Sequence, residues 1–105
     1  MNPDSPNYRL GAIGQFKGQL DGLLELAESR DLQSLLLEVI RETSDRLRRD
    51  PREWGDPYRN YRGLHAVGYG RTIQEAGIRI EYAVHDTESI VWVFSIRALP
   101  GSPLA

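Results

Sequence analysis

Arg62, Arg71, Arg79 and Arg97 punctuate the second half of a 105-residue chain, each set among apolar, strand-like residues. A guanidinium is planar, permanently charged and able to grip a phosphate through two parallel N–H bonds. Alternation with apolar residues is the pattern that aims such groups away from a core. Upstream, Arg52, Arg59 and Arg62 interleave with Trp54, Tyr58 and Tyr61. Aromatic rings among arginines can stack on nucleobases, worth about 1–3 kcal/mol per base, or can seal the edge of a core. Arg79 has two readings as well, a phosphate contact or an ion pair with Glu81. A histidine is the side chain type best suited to proton transfer near neutral pH, but His65 at a loop-to-strand junction and His85 in a turn read rather as surface or hydrogen-bonding residues. Two histidines twenty positions apart, in a chain without cysteine, give no metal-ligand spacing.

Charge is distributed unevenly. The net charge is −2. Residues 1–45 carry four basic and eight acidic side chains, and residues 46–74 carry seven arginines against three acids. A local positive block on an acidic chain suits a phosphate backbone; a solvated helix end and loop produce the same block. Twelve arginines stand against one lysine. The absence of cysteine fits a reducing compartment. No long apolar run or charged-then-apolar leader is found, so the chain is expected to be cytoplasmic, with no membrane association and no signal peptide.

The elements that must position these groups follow from hydrophobic period. The chain is expected to be one domain, 1–105, with residues 1–7 and 100–105 flexible. Tyr8–Ile13 is predicted as a short strand. From about Gln15, Phe16, Leu20, Leu23, Leu24 and Ala27 form a helical stripe. Gly14, Gly18 and Gly22 lie on a neighbouring line, read as a packing groove or a homodimer contact. Asp31 is expected to cap a second helix reaching Arg49, with Leu32, Leu35, Leu36, Val39, Ile40 and Leu47 inward and Glu42 spaced to pair with Arg46. Residues 50–62 read as a loop. Strands are predicted around Ala66–Ile73, Gly77–Val84 and Val91–Ile96. Alternation puts Ile78, Ile80, Tyr82 and Val84, with Ile90, Trp92, Phe94 and Ile96, against the helices. Arg79, Glu81, Ser95 and Arg97 are then left on the open face, with Arg79 opposite Ser95. The register of the first of these strands decides whether Arg71 joins them. The expected class is α+β: an N-terminal strand, a helical hairpin on one face, then a three-stranded antiparallel meander.

Tyr61-Arg62-Gly63-Leu64, then Gly77-Ile78-Arg79-Ile80-Glu81-Tyr82-Ala83-Val84, then Val91-Trp92-Val93-Phe94-Ser95-Ile96, together with this order of elements, resemble the RelE/ParE superfamily of bacterial toxins. The order covers nearly the whole chain and the text match covers residues 61–97. The resemblance implies a toxin of a toxin–antitoxin (plasmid stabilization) pair with an antitoxin partner. It further implies an endoribonuclease, independent of metal or other cofactor, that cuts mRNA on the ribosome through a basic open sheet face. The chemistry is attack of the ribose 2′-hydroxyl on the adjacent phosphate, requiring cations and a proton-transfer group. By position, Arg79 matches the family's strand arginine, Arg71 falls near basic positions of the preceding strand with an adjusted gap, and Arg62 matches a basic position beside the entry motif. Arg79 and Arg71 are thus the expected catalytic residues, and Arg62, Arg59 and Arg97 the expected RNA contacts. Beyond Arg97 the chain has no Tyr, His or Lys, where cleaving members carry such groups. That departure favours an alternative: a non-nucleolytic relative that binds a protein, either a gyrase-type target or an antitoxin alone.

Overall fold

Two hydrophobic periods divide the chain, helical before residue 50 and mostly alternating after residue 65, and the architecture follows that division. The computed structural model describes residues 7–105; the expected fraying of the N-terminus falls, Asn7 apart, outside them. Strand β1 (Arg9–Ala12) leads to helix α1 (Phe16–Ser29) and helix α2 (Gln33–Arg49). A single turn, α3 (Pro51–Trp54), then precedes β2 (Asp56–Tyr61), a 3-10 turn (Arg62–Leu64), β3 (Ala66–Ile73), β4 (Ile78–His85) and β5 (Ile90–Ala98). The class is α+β. The expected antiparallel meander is present as β3-β4-β5, but it is the centre of a larger sheet, five-stranded and mixed, in the order β1-β5-β4-β3-β2. β1 runs parallel to β5, while the other pairs are antiparallel.

Several expectations are corrected. Residues 56–61 form an edge strand rather than a loop, with a bulge between Pro57 and Arg59. An edge position and a bulge are where a strand tolerates proline. Asp31 does not cap α2; it takes a left-handed conformation (φ 58°) in the hairpin turn, and no side chain caps that helix. The glycine line is not a packing groove, because none of the described residues comes within 4 Å of where a Cβ would stand on Gly14, Gly18 or Gly22. Arg46 pairs forward with Asp50 at 3.2 Å rather than back to Glu42.

The core lies between α1, α2 and one face of the sheet. Leu23 and Ala27 of α1 and Leu36, Val39 and Leu47 of α2 meet Ile78, Ile80, Tyr82, Val84, Val91, Val93 and Ile96. Tyr82 is fully buried and lies between two rings, Trp54 at 6.1 Å and Tyr69 at 5.6 Å between centroids. Its hydroxyl donates to the Pro51 carbonyl at 2.6 Å. Residues 100–105 turn back onto the domain. Leu104 is 1% exposed, Ser102 Oγ donates to the Ala76 carbonyl at 2.6 Å, and Arg30 donates to the carbonyls of Pro103 and Ala105.

One irregularity resets the sheet face. The β4–β5 register shifts between Glu81 and Tyr82, so that Tyr82 faces Val93 while Glu81 faces Ser95. Phe94 is the extra residue of a β-bulge. Above it Val91 and Val93 face the helices, and below it Ile96 does. Trp92 and Phe94, expected in the core, are displaced to the open face. At the same point Gln19 Oε1 accepts the Ile96 amide at 2.9 Å, just past the last β1–β5 pair, Ala12 with Val93.

Candidate nucleic-acid interface

Cross-strand register lays out the open face in rows. One row runs Thr72–Arg79–Arg97, and the next runs Asp56–Gly70–Glu81–Ser95. A third runs Arg59–Gly68–Ala83–Trp92 and continues to Gly11 of β1. Arg79 therefore stands opposite Arg97, not Ser95. Like charges directly across a sheet repel. Neither is neutralised: among the described residues the only ion pairs are Arg46–Asp50 and Arg49–Asp45, both on the α2 side. The Arg79 guanidinium donates to Thr72 Oγ1 at 3.1 Å and lies across Gly70. A Cβ on Gly70 would come within 2.2 Å of it.

Glycines 68 and 70 make a trough along β3 that neighbouring side chains enter, the Arg79 guanidinium over Gly70 and the Tyr61 and Tyr58 rings over Gly68. A Cβ on Gly68 would meet Tyr61 Cε2 at 2.6 Å and the Tyr58 ring at 3.4 Å, so the two rings cover that glycine. The Tyr58 and Tyr61 hydroxyls are 3.3 Å apart, and the Arg59 guanidinium sits over the Tyr61 ring, 5.1 Å from its centroid. Tyr61 meets Phe94 edge-on at 6.0 Å. These rings, with Ile13, Leu64, Ala83 and Trp92, line a shallow cavity of about 160 Å³. Ile13, Tyr58 and Leu64 are 41, 45 and 50% exposed, and large exposed apolar groups gathered together mark a contact surface.

The expected site residues separate accordingly. Arg79 and Arg97 are adjacent, and Arg59 shares their face across the trough. Arg62 lies in the 3-10 turn beyond the far end of β3, about 20 Å from Arg79 at ~3.3 Å per residue. Arg71 is not on the open face, because it pairs with Ile80, a core residue. Its guanidinium donates to the Trp54 carbonyl at 3.1 Å and lies 5.6 Å from the Trp54 ring. Arg71 and Arg79 do border one cleft of about 560 Å³, together with Glu38, Glu42, Asp56 and Glu75. It opens where β2 stops covering β3, after Gly70.

Proton-transfer groups are sparse near the arginine pair. Burial, the Tyr61 hydroxyl and the charge of Glu81 push the Tyr58 phenol well above its ordinary value. Burial does the same to Tyr82. Both stay protonated and can donate but not abstract. His85 Nδ1 is occupied as an acceptor from the amides of Thr87 and Glu88, at 3.2 and 2.9 Å. His65 sits 6.4 Å from His85 between ring centroids, at the same end of the sheet. Both histidines hold the turns together: the His65 carbonyl accepts the Asp86 amide. Among the described residues no three His, Cys, Asp or Glu side chains converge on a metal position. None of the described helices is long and apolar enough to cross a membrane.

Trp92 and Phe94 are the face residues that alternation misassigns. Their cross-strand neighbours accommodate them, since Gly11 and Ala83 leave room beside Trp92, but that pairing is not written in the local sequence. Comparison with known proteins finds no family model that matches the chain and no matching curated protein.

Proposed function

We propose that the chain is a toxin-like component of a bacterial toxin–antitoxin pair, cytoplasmic and RelE/ParE-like, whose open sheet face engages RNA as an endoribonuclease. The observation that carries this reading is the Arg79–Arg97 pair. Two arginines are cross-strand partners on the open side of a sheet, and among the described residues neither has a carboxylate within ion-pair distance. Such a pair is relieved by an anion that bridges it, and a phosphodiester has the shape and charge to do so. The trough beside the pair is walled by Tyr58 and Tyr61, and Tyr58, 45% exposed, is the ring on which an unpaired base can stack. The antitoxin would cover this face and quench it.

A second reading rests on a different part of the same face. The exposed patch of Ile13, Tyr58 and Leu64 is suited to a protein surface, so the toxin would bind a protein target without cutting RNA. Induced expression in a bacterium separates the two. With growth and message integrity followed together, the nuclease reading expects growth arrest with cleaved message in the wild type, and loss of both in Arg79→Ala. Arrest with intact message transfers the function to the protein-binding reading. Neither effect in the wild type overturns the toxin proposal.

A further inference from the structure

Resting on the nuclease reading, we infer that Glu81 is the catalytic base that takes the proton from the attacking ribose 2′-hydroxyl. Glu81 is two residues from Arg79 along β4 and so on its face, directly opposite Ser95 and diagonal to Arg97. Diagonal and direct cross-strand neighbours lie ~5–8 Å apart, the span of a single phosphodiester with its ribose. On its other side Glu81 faces Gly70, over which the Arg79 guanidinium lies, so the carboxylate shares a row with the group that would hold the phosphate. Glu81 is half-buried and makes no ion pair among the described residues, so its acceptor capacity is unspent. Its charge is felt at the Tyr58 hydroxyl, which it helps to hold protonated.

The alternatives are placed less well. The histidines sit at the far end of β4, six residues or about 20 Å from Arg79. The sole lysine, Lys17, is on α1. Asp56 lies in the same row as Glu81 but on the edge strand, on the far side of Gly70 from Arg97. In the step itself, the Glu81 carboxylate accepts the 2′-hydroxyl proton as the O2′–P bond forms. Arg79 and Arg97 hold the non-bridging oxygens while charge grows on them. The P–O5′ bond then breaks and the 5′-oxygen takes a proton from water. The proton on Glu81 neutralises the hydroxide produced, leaving a 2′,3′-cyclic phosphate and a 5′-hydroxyl.

The test compares wild type, Glu81→Gln, Glu81→Ala and Asp56→Asn on ribosome-bound message and on free single-stranded RNA, with cleavage rate, RNA affinity and thermal unfolding measured for each. The expected result for Glu81→Gln is a cleavage rate lower by about 10²–10⁴-fold and loss of the acidic limb of the pH–rate profile. RNA affinity and the unfolding midpoint should be kept. Added formate should partly restore cleavage by Glu81→Ala, and Asp56→Asn should keep the acidic limb. The inference is overturned, with the nuclease reading intact, if Glu81→Gln cuts at the wild-type rate, if formate rescues nothing, or if Asp56→Asn is the variant that loses the limb. A loss of affinity equal to the loss of rate also overturns it, since Glu81 would then hold the face rather than the proton. Wild type that yields no cyclic-phosphate ends on either substrate removes the nuclease reading and this inference together.

Discussion

Arg79 and Arg97 are cross-strand partners on the open face of β4 and β5, and among the described residues neither has a carboxylate partner. The pair costs stability in the free protein because like charges directly opposite repel. Replacing either with alanine is therefore expected to leave the unfolding free energy within about 0.5 kcal/mol of wild type, or to raise it. RNA binding should fall in the same variants. The slope of log affinity against log salt should become shallower by ~0.7 for each phosphate contact removed from a single strand. Titrations at several salt concentrations, paired with thermal melts, check both halves.

Gly70 separates stability from binding at a single position. A strand glycine costs about 0.5–1 kcal/mol relative to alanine, so Gly70→Ala is expected to hold or increase stability. Its Cβ would collide with the flexible end of the Arg79 side chain, to which the three nearest atoms all belong. The guanidinium must swing off the trough. The expected outcome is a melting temperature at or above wild type with RNA affinity reduced toward that of Arg79→Ala.

The order of helices and the central strands was legible because their hydrophobic periods are strong: the α2 stripe and the inward residues of β4 fall where alternation and helical spacing put them. β2 was not legible. Asp56-Pro57-Tyr58-Arg59-Asn60-Tyr61 contains turn-forming residues and is exposed on nearly every position, as an edge strand with a bulge permits. The side chosen by Trp92 and Phe94 was hidden too, because β5 is apolar at both parities from Ile90 to Phe94. Only the bulge, a long-range pairing property, decides which set goes inward. Arg71 shows the same limit. Its side of the sheet is fixed by its partner, Ile80, and no local pattern supplies that partner.

Alkaline pH should expose the two perturbed phenols. Tyr58 and Tyr82 are both raised above the usual tyrosine value of 10.0, chiefly by burial. Above that value the unfolded chain has released protons that the native state still holds. Stability therefore falls as pH rises: this contribution is complete below about pH 10 and is lost above it. Absorbance titration should show fewer than five tyrosinates until the chain unfolds. Tyr82→Phe should flatten the decline. It also leaves the buried Pro51 carbonyl without its 2.6 Å donor, at a cost of about 1–3 kcal/mol.

The chain's end should prove structural. Leu104 is 1% exposed and belongs to the core cluster, and its amide donates to Ser102 Oγ at 3.0 Å. Removing most of a buried leucine side chain costs about 2–5 kcal/mol. For a domain of this size, that is a fall in melting temperature of roughly 4–8 °C per kcal/mol. Leu104→Ala is expected to show it, and deletion of the last two residues should cost at least as much, since Arg30 then also loses the Ala105 carbonyl. Leu24→Ala is the internal comparison. Leu24 is 40% exposed on α1, so it should cost much less than Leu104→Ala. Equal effects of the two substitutions in thermal melts would remove Leu104 from the core.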